Sequence, residues 1–172
     1  VLRHGGNAVD AAIVTAFVQG VVDPTNCGIG GFGTMHVYMT KNEEEKIIDF
    51  YGKAGSKATP DMWQDLILSK PRHGFGYVLK GNVNAVGHTS ITTPGTVMGL
   101  YEASNRYGTM LWSEVVQPAI KVAGQGYLAT QEMVTSWKVK GLGPLNVMSE
   151  AKQIYTKSGA PFEAGEIIVN RD

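Results

Sequence analysis

The 172-residue chain balances 15 Lys+Arg against 15 Asp+Glu, so its formal net charge is zero. With no Lys/Arg cluster it offers no long-range field to phosphate backbones or anionic lipid, which argues against nucleic acid and membrane contact from this segment. At 43 % hydrophobic and 17 % charged residues it is too apolar to be disordered, its length allows one globular domain, and a single cysteine, Cys27, excludes an internal disulfide framework and any multi-cysteine metal site.

Gly5-Gly6-Asn7 precedes a run of helix formers, and Asp10 stands where a capping box places its acidic partner, which predicts a helix over 8–22. Val9, Ala12, Ile13, Ala16 and Phe17 make one stripe of it and Val14, Val18 and Val22 the next, so burial around most of the circumference is expected. Its 15 residues, interrupted by Asp10, Thr15 and Gln19, fall short of the roughly 20 apolar residues that span a bilayer. Asp23-Pro24 ends it, because proline disfavours helical geometry in the residue before it. Residues 27–33, Cys-Gly-Ile-Gly-Gly-Phe-Gly, read as a loop.

Alternation predicts a strand over 32–39, a polar turn over 41–45 and a returning strand over 46–51, an antiparallel hairpin with a loop of about five residues. Thr59-Pro60-Asp61 has the form of an N-cap, an N1 proline and an acidic first turn, predicting a helix to about 69. A glycine-rich connection through Gly74, Gly76 and Gly81 follows. Thr93-Pro94-Gly95 opens the next helix with Thr93 as its cap, Gly108 closes it, and residues 112–123 form another helix despite Pro118. Short helical pieces are expected beyond Thr130, and nothing resembling a linker divides the chain, so 1–172 reads as one partial domain.

Several residues invite a chemical reading. Gly28-Ile29-Gly30-Gly31-Phe32-Gly33 matches the dinucleotide fingerprint letter for letter, yet that turn works between a strand and a helix, and here the glycines leave a helix and enter a strand. A tight structural loop is the expectation, with nucleotide binding the alternative. Cys27 has no histidine beside it and reads as a small apolar residue. His4, His36, His73 and His88 lack the paired spacing of a metal site. Thr92 and Thr93 are internal, whereas a threonine that uses its own α-amine as base must begin a chain.

Taken in order, Gly5-Gly6-Asn7-Ala8-Val9-Asp10-Ala11-Ala12, Val22-Asp23-Pro24, Gly28-Ile29-Gly30-Gly31, Ile48-Asp49-Phe50 and Ala58-Thr59-Pro60-Asp61-Met62 resemble the γ-glutamyltransferase family, which includes related acylases. Thr93-Pro94-Gly95-Thr96, Tyr107-Gly108, Pro118-Ala119-Ile120-Lys121, Gly159-Ala160-Pro161 and Gly165-Glu166 continue the likeness over nearly the whole chain. The resemblance implies an α/β (α+β) fold, part of the αββα sandwich of N-terminal-nucleophile hydrolases, with antiparallel strands and packed helices. It implies a precursor that cleaves itself into a large and a small subunit, the nucleophile being a threonine at the start of the small one. On that reading this chain is large-subunit sequence that supplies pocket wall and no catalytic residue. Its partners are its own small subunit and a γ-glutamyl or other acyl amide; no cofactor or metal is expected, and a periplasmic or extracellular setting goes with the resemblance. A non-catalytic scaffold is the alternative.

Two stretches depart from the family, and at the first Asn26-Cys27 stand in place of its small residues before the glycine loop. Where Asp-Phe-Arg-Glu and then Ala-Pro are usual, the arginine holding the α-carboxylate of the γ-glutamyl group, this chain has Asp49-Phe50-Tyr51-Gly52-Lys53-Ala54-Gly55. Tyr51, Gly52 and Lys53 are therefore the candidate substrate-binding residues. If the strand continued, Lys53 would project from the face of Tyr51 and offer a point charge in place of the arginine fork.

Overall fold

The capping pattern at Asn7 is realised in full. In the computed structural model, which describes residues 1–70, 76–139 and 149–171, helix α1 (Ala8–Val22) begins with Asn7 Oδ1 accepting from the N–H groups of Val9 (2.9 Å) and Asp10 (3.0 Å). Asp10 Oδ2 accepts in return from the Asn7 N–H at 2.8 Å, so the otherwise orphaned first donors of the helix are met. Val9, Asp10, Ile13 and Phe17 form the buried stripe. The expected burial of most of the circumference is not reached: Val14, Val18 and Val22 are half-buried and Ala12 is exposed, because the described elements pack on one side of the helix only.

Strands β1 (Gly33–Met39) and β2 (Glu44–Phe50) pair antiparallel, with Gly33 opposite Phe50 and Met39 opposite Glu44. Met35, Val37 and Met39 point at the helices, while Thr34, His36 and Tyr38 are exposed, as the alternation predicts. The turn is shorter than expected: residues 40–43 make it, with Glu43 at φ 52, and the return strand begins at Glu44. It also stops one residue early, since the Asp49 carboxylate takes the Tyr51 N–H at 3.0 Å and draws the chain off the ladder.

Helices α2 (Thr96–Tyr107) and α3 (Trp112–Gln125) cover the hairpin and α1. Ile13, Phe17, Val37, Leu100, Ala103 and Val115 meet in one core, each large side chain adding roughly 1.5–3 kcal/mol by leaving water. Trp112 stands edge-on to both Phe17 (5.5 Å) and Tyr101 (5.1 Å). Buried beside that core, Asp10 also accepts from the Thr109 hydroxyl (2.7 Å) and the Thr109 and Met110 N–H groups (3.1 and 3.4 Å). Burial by itself raises the Asp10 carboxyl, but the donors of Asn7, Thr109 and Met110 outweigh it and hold the group below the usual carboxylate range.

The helix predicted over 59–69 does not form. Met62 N–H donates to Thr59 O, Gln64 N–H to Asp61 O and Leu66 N–H to Trp63 O, a chain of three-residue turns ending in a 3-10 turn at Gln64–Leu66. The last apolar residues are instead taken by strand β3 (Ile67–Ser69), paired antiparallel with β4 (Val78–Leu79). A non-local pairing thus overrides a local start signal. Strand β4 interrupts the expected glycine connection between Gly76 and Gly81, both at positive φ; His73 and Gly74 lie outside the described residues.

Beyond α3 come β5 (Tyr127–Leu128), α4 (Gln131–Val139), α5 (Ser149–Tyr155), β6 (Thr156–Lys157), β7 (Ala160–Pro161) and β8 (Ile167–Ile168). β5 pairs with β8 and β6 with β7, all antiparallel. A second core of Ala129, Val134, Trp137 and Ile168 holds this region together. Gly126, at φ 89, lets the chain enter it, because a Cβ there would lie 2.6 Å from Ile167 Cγ2.

Candidate functional site

Tyr51, Gly52 and Lys53 sit together at the open end of the hairpin, just past the ladder. Extending the register by one step from the Gly33–Phe50 pair sets Phe32 opposite Tyr51, and their rings meet with centroids 4.3 Å apart, tilted by 45°. Gly52 lies under this pair: a Cβ there would be 2.5 Å from Thr92 Oγ1 and 2.9 Å from Phe32 Cδ1. Lys53 makes an antiparallel bridge with Thr93, whose N–H donates to Lys53 O at 2.8 Å. Lys53 is therefore not on a continuation of β2, and its placement follows from the Thr93 bridge.

That bridge also corrects the expected cap. Helix α2 has Gly95, not Thr93, as its N-cap and no side-chain cap, and the N–H groups of Gly95 (2.9 Å) and Thr96 (3.2 Å) both donate to Gly31 O. The glycine loop thus works as a main-chain cap for α2, and its carbonyl occupies the helix N-terminus that a dinucleotide turn would leave to a pyrophosphate. Close packing fixes the contact: a Cβ on Gly95 would lie 2.2 Å from Phe50 O, and one on Gly99 2.2 Å from the Phe50 ring.

Between the end of β2 and α2 runs a groove of 510 Å³ lined by Asp49, Phe50, Tyr51, Lys53, Met98 and Glu102, among others. Its floor is apolar and its rim carries two acids and one base. Glu102 is engaged by Arg106 one helical turn on, and Asp49 by the Tyr51 N–H. Lys53 is the basic residue of the lining.

The remaining sequence candidates do not converge. Thr92 and Thr93 are exposed inside the chain, Cys27 is half-buried in the loop after α1, and His36 makes an exposed contact with Glu45 at 2.8 Å. Among the described residues no three His, Cys, Asp or Glu side chains group as metal ligands, and no helix is long and apolar enough to cross a membrane. Phe32, expected as the first residue of the strand over 32–39, lies one residue before β1 and meets the Tyr51 ring beside the groove; the sign of that pairing was the hairpin register, which a turn of the wrong length hides.

The family model of γ-glutamyltranspeptidase matches residues 1–172. The chain belongs to the γ-glutamyltranspeptidase family. It is 34 % identical over 173 residues to the glutathione hydrolase proenzyme of Escherichia coli (strain K12), covering 98 % of this chain and 27 % of that protein. It is 36 % identical over 132 residues to the acylase ACY 1 proenzyme of Pseudomonas sp. (strain V22), covering 76 % of this chain. The crystal structure of Helicobacter pylori γ-glutamyltranspeptidase superposes with a TM-score of 0.85 at 31 % identity, over 99 % of this chain and 46 % of that one. The mixed helix-and-strand layout with antiparallel pairing is accordingly that of γ-glutamyltranspeptidases, as expected for part of an N-terminal-nucleophile hydrolase. The chain spans little more than a quarter of the curated relatives' length.

Proposed function

We propose that residues 1–172 form one partial domain of the large subunit of a γ-glutamyltransferase-like amidohydrolase, and that the Tyr51–Lys53 turn is part of its acyl pocket. The observation that carries the reading is that the family match runs over the whole chain while Tyr51 and Lys53, from the stretch that departs from the family at its arginine, line the groove. The relatives' names as proenzymes and the partial coverage support a small-subunit partner made by self-cleavage. In the reaction, the hydroxyl of that subunit's first threonine attacks the acyl carbonyl, its proton passing through the threonine α-amine to the leaving nitrogen as the C–N bond breaks. Water or an amine then attacks the acyl-threonine ester and returns the proton to the hydroxyl. This chain contributes the walls that orient the acyl group, and no catalytic residue.

Tyr51 bears on which acyl group that is. An arginine fork gives a carboxylate two parallel charge-assisted hydrogen bonds, and losing such a contact removes roughly 1.5–3 kcal/mol. Lys53 supplies a single point charge instead, so hold on a terminal carboxylate is weaker than in a γ-glutamyl clamp. This favours a second reading within the same chemistry, an acylase of a different amide. The test uses the complete, self-processed protein with γ-glutamyl, glutaryl and butyryl p-nitroanilides and intact-mass analysis of the small subunit. An acyl adduct on its first threonine with at least one of them is expected. Absence of adduct and of released nitroaniline with all three would leave a non-catalytic scaffold.

A further inference from the structure

We propose that Phe32 and Tyr51 form an aromatic shelf that takes the flat, apolar part of the acyl group, so that the substrates are arylacetyl-type or similarly planar acyl amides. The inference rests on the reading of this turn as acyl pocket and adds the class of acyl group. Phe32 is 48 % and Tyr51 62 % exposed, and the two rings already share one contact, so they present a joined apolar surface beside the groove. A surface of that kind is held open only if its backbone is fixed from below, and here it is. The Tyr51 N–H is tied to Asp49, Gly52 leaves no gap between Thr92 and the Phe32 ring, and the Lys53–Thr93 bridge anchors the turn to the start of α2. A shelf fixed in advance loses little freedom when a ligand arrives.

Tyr51 also lines the groove together with Phe50 and Met98, so the shelf is continuous with an apolar floor, and 510 Å³ lies within the usual range of small-molecule pockets, about 300–1,000 Å³. Neither ring can hold a carboxylate by two parallel bonds, but both can stack on a planar group. Phe32 thereby becomes a specificity residue alongside Tyr51.

The experiment measures binding of phenylacetate, butyrate and glutarate to the complete, self-processed protein by calorimetry, alongside turnover of the three matching p-nitroanilides. Phenylacetate is expected to bind at least about tenfold more tightly than butyrate, and Phe32→Ala to cut that ratio by about tenfold. Phe32→Leu keeps apolar bulk without a ring and is expected to lose most of the same preference, while Phe32→Tyr restores it. Phenylacetate binding no tighter than butyrate, or a preference unmoved by both Phe32→Ala and Phe32→Leu, overturns the shelf. Should phenylacetate bind as expected while no anilide forms an acyl-threonine, the shelf stands and the hydrolase reading falls; turnover with an unmoved phenylacetyl preference gives the reverse.

Discussion

At the turn end of the hairpin, Asp10 is fully buried and its carboxylate is met from inside the chain by Asn7, Thr109 and Met110, with Tyr107 O accepting from the Asn7 side chain at 2.6 Å. At the other end of the same ribbon, where Gly33 pairs with Phe50, the chain leaves the ladder and turns two aromatic rings and an amine toward the outside. Both ends depend on α2, one at its last turn and one at its first. The turn end satisfies each buried group locally and so contributes stability; the open end is equally well fixed in its backbone but leaves its side chains for something else to touch. Fixed backbone with unengaged side chains is the arrangement a binding wall needs.

The contrast breaks most sharply at Asp10. Asp10→Ala removes the buried acceptor of the part-buried N–H donors of Asn7 and Thr109 and is expected to cost about 3 kcal/mol, read as a lower Tm of the complete enzyme, with the relative rates on different acyl anilides unchanged. Because the folded-state carboxyl is held below its unfolded value of about 3.9, its contribution is present above that pH and is lost as pH falls through the folded value. Asp10→Asn should therefore flatten the acid limb of a stability-versus-pH curve. A limb as steep as wild type would show that other carboxylates govern acid unfolding.

Next in size is Gly95→Ala, whose Cβ would be driven against Phe50 O; forcing α2 away from β2 should cost about 1–3 kcal/mol and slow turnover as well, since the groove lies between them. Gly52→Ala meets only side-chain atoms of Thr92 and Phe32, so its effect on Tm should stay within about 1 kcal/mol while the phenylacetyl-over-butyryl preference falls several-fold. Arg106→Ala removes an exposed pair with Glu102 and should change stability by no more than about 0.5 kcal/mol.

How legible each end was follows from sequence distance. The Asn7–Asp10 box is local, and residues 8–22 appear as α1 at the expected bounds. Thr109, which completes the Asp10 site, is 99 residues away and gave no local sign. The start of α2 at Thr96 was close to expectation, but its cap is a loop carbonyl from Gly31, and main-chain acceptors leave no mark on composition. The 59–69 segment carried a genuine start signal and lost it to pairing with Val78 and Leu79. Tyr51 was legible through resemblance, whereas its partner Phe32 required the register, and the register required a turn of four residues, 40–43.

The central claim is that the open end of the hairpin sets the acyl preference, and the most direct measurement is kcat/KM for glutaryl against butyryl p-nitroanilide, two substrates that differ by one terminal carboxylate. It is made on the complete, self-processed enzyme, for wild type and Tyr51→Arg. The account predicts a small wild-type preference for the carboxylate and a rise of about ten- to a hundredfold in Tyr51→Arg, as a two-bond clamp is installed. A wild type that already favours glutaryl by more than about a hundredfold, with a ratio that Tyr51→Arg leaves unmoved, would contradict it.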